Sequence, residues 1–176
     1  PRRGLIGPWS HDWPNNSVPG PRIDFTHEAA RFFDEHLKGI VPPEEEANAP
    51  PLTIFRREFT PPASFRLEER GEFVTEEQWP PARVQPTTFH LQAGGSLSLS
   101  GPDPGAEADE VRYDPRVGRW AGMWGGGQTV PSWSRPLDQR LDEALALCYT
   151  TEAFEDGIVL GGKPVAELWV STTAGK

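Results

Sequence analysis

One cysteine, Cys148, and one methionine occur in 176 residues. A lone thiol excludes an internal disulfide framework, and nothing else signals an oxidising compartment. Long apolar runs are missing too. The longest, Ala144 to Tyr149, falls well short of the roughly 20 residues that a membrane-spanning helix needs. The chain does not open on a basic stretch followed by an apolar one, so no secretory leader is visible. Positive charge is scarce and dispersed: Lys and Arg number 17 against 26 Asp and Glu, the formal net charge is −9, and no basic run exceeds a pair (Arg2-Arg3, Arg56-Arg57). Duplex nucleic acid and anionic membranes both need clustered cations, so neither is an expected partner. The expected location is the cytoplasm.

Turn chemistry, in contrast, is abundant. The 18 glycines and 20 prolines make up more than a fifth of the chain, where about 12% is usual. That argues against a helical bundle and for many short strands joined by loops. Seven tryptophans and a 36% hydrophobic content separate the chain from disordered sequences, which are poor in large apolar residues.

Three regions follow from the pattern. Residues 1–40 read as the tail of a strand (Gly4 to Gly7), a long loop, and a helix from about His27 to Lys38, with Thr26 as N-cap and Gly39 as the stop. Phe25, Ala29, Phe32, Phe33 and Leu37 recur at helical spacing and form an apolar stripe. Residues 41–51, rich in Pro and Glu, read as a stiff linker that excludes a helix interior or a central strand. Residues 52–176 are β throughout: Leu52 to Phe55, Thr88 to Leu91, Ser96 to Leu99, a doubly buried strand at 144–150, then 158–160 and 165–172. The expected fold class is mainly β, a jelly-roll sandwich. Strand patterns close to both ends would leave edges without partners, so the chain is expected to be a segment of a longer protein.

His11 is the one residue that local context puts forward for catalysis. It lies on a loop just after a strand, between Pro8-Trp9 and Trp13-Pro14, ahead of a helix. In α/β-hydrolases the triad runs serine, acid, histidine, and the histidine occupies such a late loop. The alternative is a structural histidine bonded to loop backbone. The other candidates are weaker. His27 and His36 are nine residues apart on one helix, not the four that put two ligands on one face. His90 sits in a period-two strand, and Cys148 in an apolar run reads as a small buried hydrophobe. No cluster has metal-ligand spacing, so no metal is expected. Gly125-Gly126-Gly127 lacks the frame of a nucleotide loop and reads as a turn. Trp120, Trp124 and Trp133 crowd one loop-rich stretch, suited either to stacking on a sugar or to plugging the end of a sandwich. None of the nine serines stands in a G-x-S-x-G frame.

At Gly7-Pro8-Trp9-Ser10-His11, together with Ala30 to Gly39, the chain resembles the cocaine-esterase-like and X-prolyl dipeptidyl-peptidase group of serine hydrolases. Further matching segments follow in order: Gln78-Trp79-Pro80, Leu91 with Gly94 to Leu97, Tyr113-Asp114-Pro115, Asp138-Gln139-Arg140, Tyr149 to Glu152, and Ala166 to Thr173. The resemblance implies that residues 1–40 are the last strand, loop and helix of an α/β-hydrolase domain. It implies that 52–176 are an incomplete C-terminal jelly roll of galactose-binding-like type. His11 would match the catalytic histidine, with the nucleophile and the acid upstream of Pro1, so this chain by itself is expected to be hydrolytically inactive. The implied substrates are small-molecule esters or peptides, hydrolysed through an acyl-enzyme without a cofactor, and a homo-oligomer is permitted. The alternative is a non-catalytic β-sandwich module that binds carbohydrate or a protein partner through the tryptophan-rich loop.

Overall fold

β-Branched and aromatic residues cluster at 53–55 (Thr53, Ile54, Phe55) and 73–75 (Phe73, Val74, Thr75), and the segments that contain them pair as antiparallel strands. They are β2 (Leu52–Arg57) and β3 (Gly71–Glu76) of a computed structural model that describes residues 2–10, 12–105, 107–119 and 138–173. Leu52 lies opposite Glu76 and Phe55 opposite Phe73, whose rings meet edge-on at 5.1 Å. Gly71 sits where φ is 151° and a Cβ would run into the Arg56 carbonyl, so the register closes only on glycine. The other edge of β2 pairs in parallel with β1 (Gly4–Ile6), with Gly4 opposite Leu52, giving the order β1-β2-β3. The strand tail expected at Gly4 thus finds its partner on the far side of the Pro/Glu stretch.

Helix α1 (Phe25–Lys38) begins slightly earlier than its pattern suggested, because Asp24, not Thr26, is the cap: its carboxylate accepts from the His27 amide at 2.9 Å. Both side chains can cap, but the helix starts at Phe25, so Asp24 stands just outside its first turn and Thr26 within it. Gly39, left-handed at φ 68°, ends the helix as expected. No residue of α1 is buried; Phe33 and Leu37 on its apolar stripe are exposed. The linker is not free of helix. Pro43 leads into the one-turn α2 (Glu44–Ala47), since a proline at a helix start loses no hydrogen bond. An ion pair from Arg31 to Glu46 holds α2 against α1.

A second sheet pairs β4 (His90–Gln92) with β5 (Ser96–Ser98) across a turn containing Gly94 and Gly95, both at positive φ. Further on the pattern and the structure part. Residues 144–150 form no buried strand. They leave the short α3 (Arg140–Glu143) as a turn and meet β5 only at the bridge between Ser96 and Thr150, with Cys148 exposed. Nor do 158–160 and 165–172 join a ladder, and Trp169 is fully exposed. Apolar alternation specifies which face a strand would bury, but a strand also needs an edge to bond to. Among the described residues no such edge meets these segments. The architecture is two small sheets with few helices, a β-rich chain. No helix among the described residues is long and apolar enough to cross a membrane.

Two Asp-x-Arg clamps brace the chain before and after 120–137. Asp114 accepts from the Arg116 backbone amide (2.9 Å) and guanidinium (2.6 Å), and Asp138 does the same with Arg140 (3.2 and 2.7 Å). Those side-chain hydrogen bonds, the larger cause, pull both carboxyls from 3.8 to about 2. Glu76, 8% exposed, is likewise held below the usual carboxylate range by the Arg83 guanidinium. Folded values below unfolded ones mean stabilisation that is complete above about pH 4.5 and is lost as the pH falls towards 2. Thermal midpoints followed from pH 6 to 2 are expected to drop through that window, and Arg83→Gln with Asp138→Asn should shallow the drop. A profile identical in the variant would remove these pairs as its cause.

Candidate functional site

The segment that leaves β1 folds into a self-bonded loop. Gly7 is required at its start, because a Cβ there would lie 2.5 Å from the Trp9 indole. Trp9 points back over the sheet, with its ring 6.3 Å from Phe73, and its indole N–H donates to the Pro21 carbonyl at 2.7 Å. On the loop's outer side Trp13 stacks obliquely on Phe25, the first residue of α1, at 5.3 Å. The two tryptophans therefore attach the loop to the sheet and to the helix respectively.

His11 lies outside the described residues, but its neighbours do not. The Asp12 amide donates to the Ser10 carbonyl at 2.7 Å, so the two flanking residues are bonded to each other directly. The Asp12 carboxylate accepts from the Trp13 amide (2.7 Å), and the Asn16 and Ser17 amides both donate to the Trp13 carbonyl (2.9 and 3.0 Å). Ser17 is wholly buried; its hydroxyl accepts from the Ser10 amide at 2.9 Å. The Arg22 guanidinium donates to the Ser17 carbonyl at 3.1 Å, and the Ile23 amide to Pro14 at 3.2 Å. Nothing in the sequence singled out Ser17; a serine two residues before a proline is an ordinary loop residue.

Gly20 fastens this loop to the rest of the molecule. Its amide donates to Leu67 (2.7 Å) and its carbonyl accepts from Glu69 (2.9 Å), a parallel bridge. The Glu68 carboxylate fills the space that a Cβ on Gly20 would take. Beside it the Glu69 side chain is 1% exposed, ion-paired with Arg57 at 2.8 Å and Arg66 at 3.7 Å, yet neither of its oxygens has an aligned hydrogen-bond donor. The Pro19-Gly20-Pro21 punctuation was readable as a turn, whereas its pairing with 67–69 was not.

The remaining sequence candidates do not gather here. His27 and His36 are on α1, where His36 packs edge-on against Phe32 at 4.4 Å, and His90 begins β4. Trp120, Trp124, Trp133 and Gly125 to Gly127 lie outside the described residues. The chain on either side of them is drawn together, because the Gly118 amide donates to the buried Asp142 carboxylate at 2.9 Å. Among the described residues no group of three or more His, Cys, Asp or Glu is placed to hold a metal ion. A cleft of about 340 Å³, lined by Arg2, Arg3, Leu52, Glu77 and Trp79 among others, opens at the start of β1, at the opposite end of that strand from the loop.

Compared with known families, residues 47–176 match the X-Pro dipeptidyl-peptidase C-terminal non-catalytic domain. The chain belongs to this family. Within this X-Pro dipeptidyl-peptidase C-terminal domain lie β2 to β5, α3 and both Asp-x-Arg clamps; the loop and α1 precede it. Similarity to a curated protein reaches further. The chain is 28% identical over 202 residues to the cocaine esterase of Rhodococcus sp. (strain MB1 Bresler), covering 98% of this chain and 31% of that protein. The chain thus spans about a third of the length of that relative. The resemblance to cocaine-esterase-like and X-Pro dipeptidyl-peptidase proteins read from the short motifs is thereby borne out. No solved structure matches the chain.

Proposed function

We propose that this chain is the C-terminal part of a serine hydrolase that cleaves small esters or amides through an acyl-enzyme, and that His11 is its triad histidine. In this reading residues 1–40 complete an α/β-hydrolase domain, 41–51 link, and 52–176 form an accessory jelly roll. The nucleophilic serine and the acid come from residues outside this chain. The observation that carries the reading is the extent of the similarity to cocaine esterase. It covers 98% of the chain and so takes in the loop and α1, which the family match from residue 47 onward leaves out.

The chemistry follows from what an imidazole does. Histidine titrates near neutrality, so His11 takes the proton of the serine hydroxyl as that oxygen attacks the acyl carbon. The same proton goes to the departing alcohol or amine, leaving the acyl-enzyme. His11 then deprotonates a water molecule, which attacks the acyl group, and the proton returns to the serine. Residues 7–23 hold the backbone on both sides of His11, and Trp9 and Trp13 tie that loop to the sheet and to α1.

A fluorophosphonate probe distinguishes the parts. Such probes phosphonylate a serine only when a base activates it. The full-length protein that carries this chain is expected to be labelled on a serine outside these 176 residues, while the isolated chain stays unlabelled. Labelling of the isolated chain would place a nucleophile within it and overturn the proposal.

A further inference from the structure

We infer that Ser17 is a positioning residue for His11, the hub that ties together the residues on either side of position 11; the inference rests on the reading of His11 as the triad base. Ser17 is completely buried in a loop most of whose residues are exposed or half-buried. Its hydroxyl accepts from the Ser10 amide (2.9 Å), approaches the Ser10 hydroxyl (3.3 Å) and donates to the Pro19 carbonyl at 3.4 Å. Its amide donates to the Trp13 carbonyl at 3.0 Å. One residue thereby grips the chain just before position 11 with its side chain and just beyond it with its backbone. The bond from the Asp12 amide to the Ser10 carbonyl then ties the two grips together.

The hub is itself referenced to a fixed element. Ser17 bonds to Pro19, and the adjacent Gly20 is bonded on both sides of its peptide to Leu67 and Glu69, on the stretch that leads into β3. The loop's position is therefore set from the 67–76 strand side through Gly20 and Ser17 to Ser10. A serine that merely filled a buried corner would need only one partner for its hydroxyl. Here one of the partners, Ser10, is the residue next to the proposed base. Proton transfer depends on that base lying within hydrogen-bond reach of the hydroxyl it deprotonates.

The test is a double-mutant cycle in the full-length protein, with kcat expressed per folded molecule, the folded fraction being read from the amplitude of the unfolding transition. Ser17→Ala is expected to lower kcat about tenfold to a hundredfold, the scale of a misplacement of roughly 1 Å, with KM within about twofold. On a His11→Ala background the same change should have no further effect, because the group it positions is gone. If His11→Ala abolishes turnover while Ser17→Ala is silent, or costs the same factor in both backgrounds, Ser17 is not a positioning residue although the His11 reading stands. If His11→Ala retains turnover, both fall. Should Ser17→Ala fail to fold, amide exchange of the unmodified protein decides. Protection of the Ser10 amide well beyond that of the exposed stretch 107–112 supports the hub, and equal exchange overturns it.

Discussion

His11→Ala in the full-length protein is expected to lower kcat by about ten-thousandfold or more, since triad members act as a unit and removal of one forfeits nearly the whole triad contribution. KM should change little, because the imidazole acts on the hydroxyl and the leaving group more than on the bound acyl chain. His11→Gln, which can donate and accept hydrogen bonds but cannot shuttle a proton at neutral pH, should fare no better. Hydrolysis of p-nitrophenyl esters, followed with protein whose melting temperature matches the unmodified form, measures this directly. A histidine that only braces the loop gives a different result: a lowered melting temperature with kcat per folded molecule intact. That outcome would end the assignment. The contrast is sharp because the loop has so many other braces. Among the described residues Ser17, Trp9, Trp13 and Gly20 make structural bonds of their own in this loop.

Phe55→Ala is expected to be the most damaging single change to stability, by about 3–5 kcal/mol. Phe55 is the buried hydrophobic residue among those described, 8% exposed, at the centre of β2 between β1 and β3. Its ring meets Phe73 at 5.1 Å, and Phe73 in turn lies 6.3 Å from Trp9. Deleting the ring leaves a cavity under this aromatic row that the short strands around it cannot close. Phe55→Leu, which keeps most of the volume, should cost about 1 kcal/mol, in the range of tolerated core swaps. Urea unfolding of the full-length protein reads both, provided the transition attributable to this region is followed. A loss below about 1 kcal/mol for the alanine variant would show that the sheet is held mainly by its ladder. Because the row ends on Trp9, Phe55→Ala should also loosen the loop, seen as faster amide exchange across residues 7–17.

The motifs were more readable than the packing. Gly7-Pro8-Trp9-Ser10-His11 and the helix that ends at Gly39 carried the family resemblance, which the family match and the similarity to cocaine esterase bear out. The helix was legible because its apolar residues repeat at 3.6 and a glycine stops it. The hairpin of β4 and β5 was legible because its strands alternate around Gly94-Gly95. The same kind of alternation at 165–172 did not lead to a strand. Side-chain pattern records a preference for burial, whereas a ladder depends on a neighbour that the pattern does not name. The linker was misread in one respect. Its prolines exclude a long helix but allow the single turn that starts after Pro43.

Ser17 and Gly20 mark the boundary between the two kinds of information. Residue type, spacing and order alone determined the family, the β-rich character, the extent of α1 to within two residues, and His11 as the residue to test. Each is a local property, fixed by which side chains follow one another. Only the tertiary structure decided that Gly4 pairs with Leu52 across the Pro/Glu stretch, that Gly20 docks on Leu67 and Glu69, and that a buried hydroxyl at Ser17 reaches the amide of Ser10. These contacts join residues from seven to about fifty positions apart. Their energies come from desolvated donors finding acceptors, and no local pattern encodes which acceptor will be there.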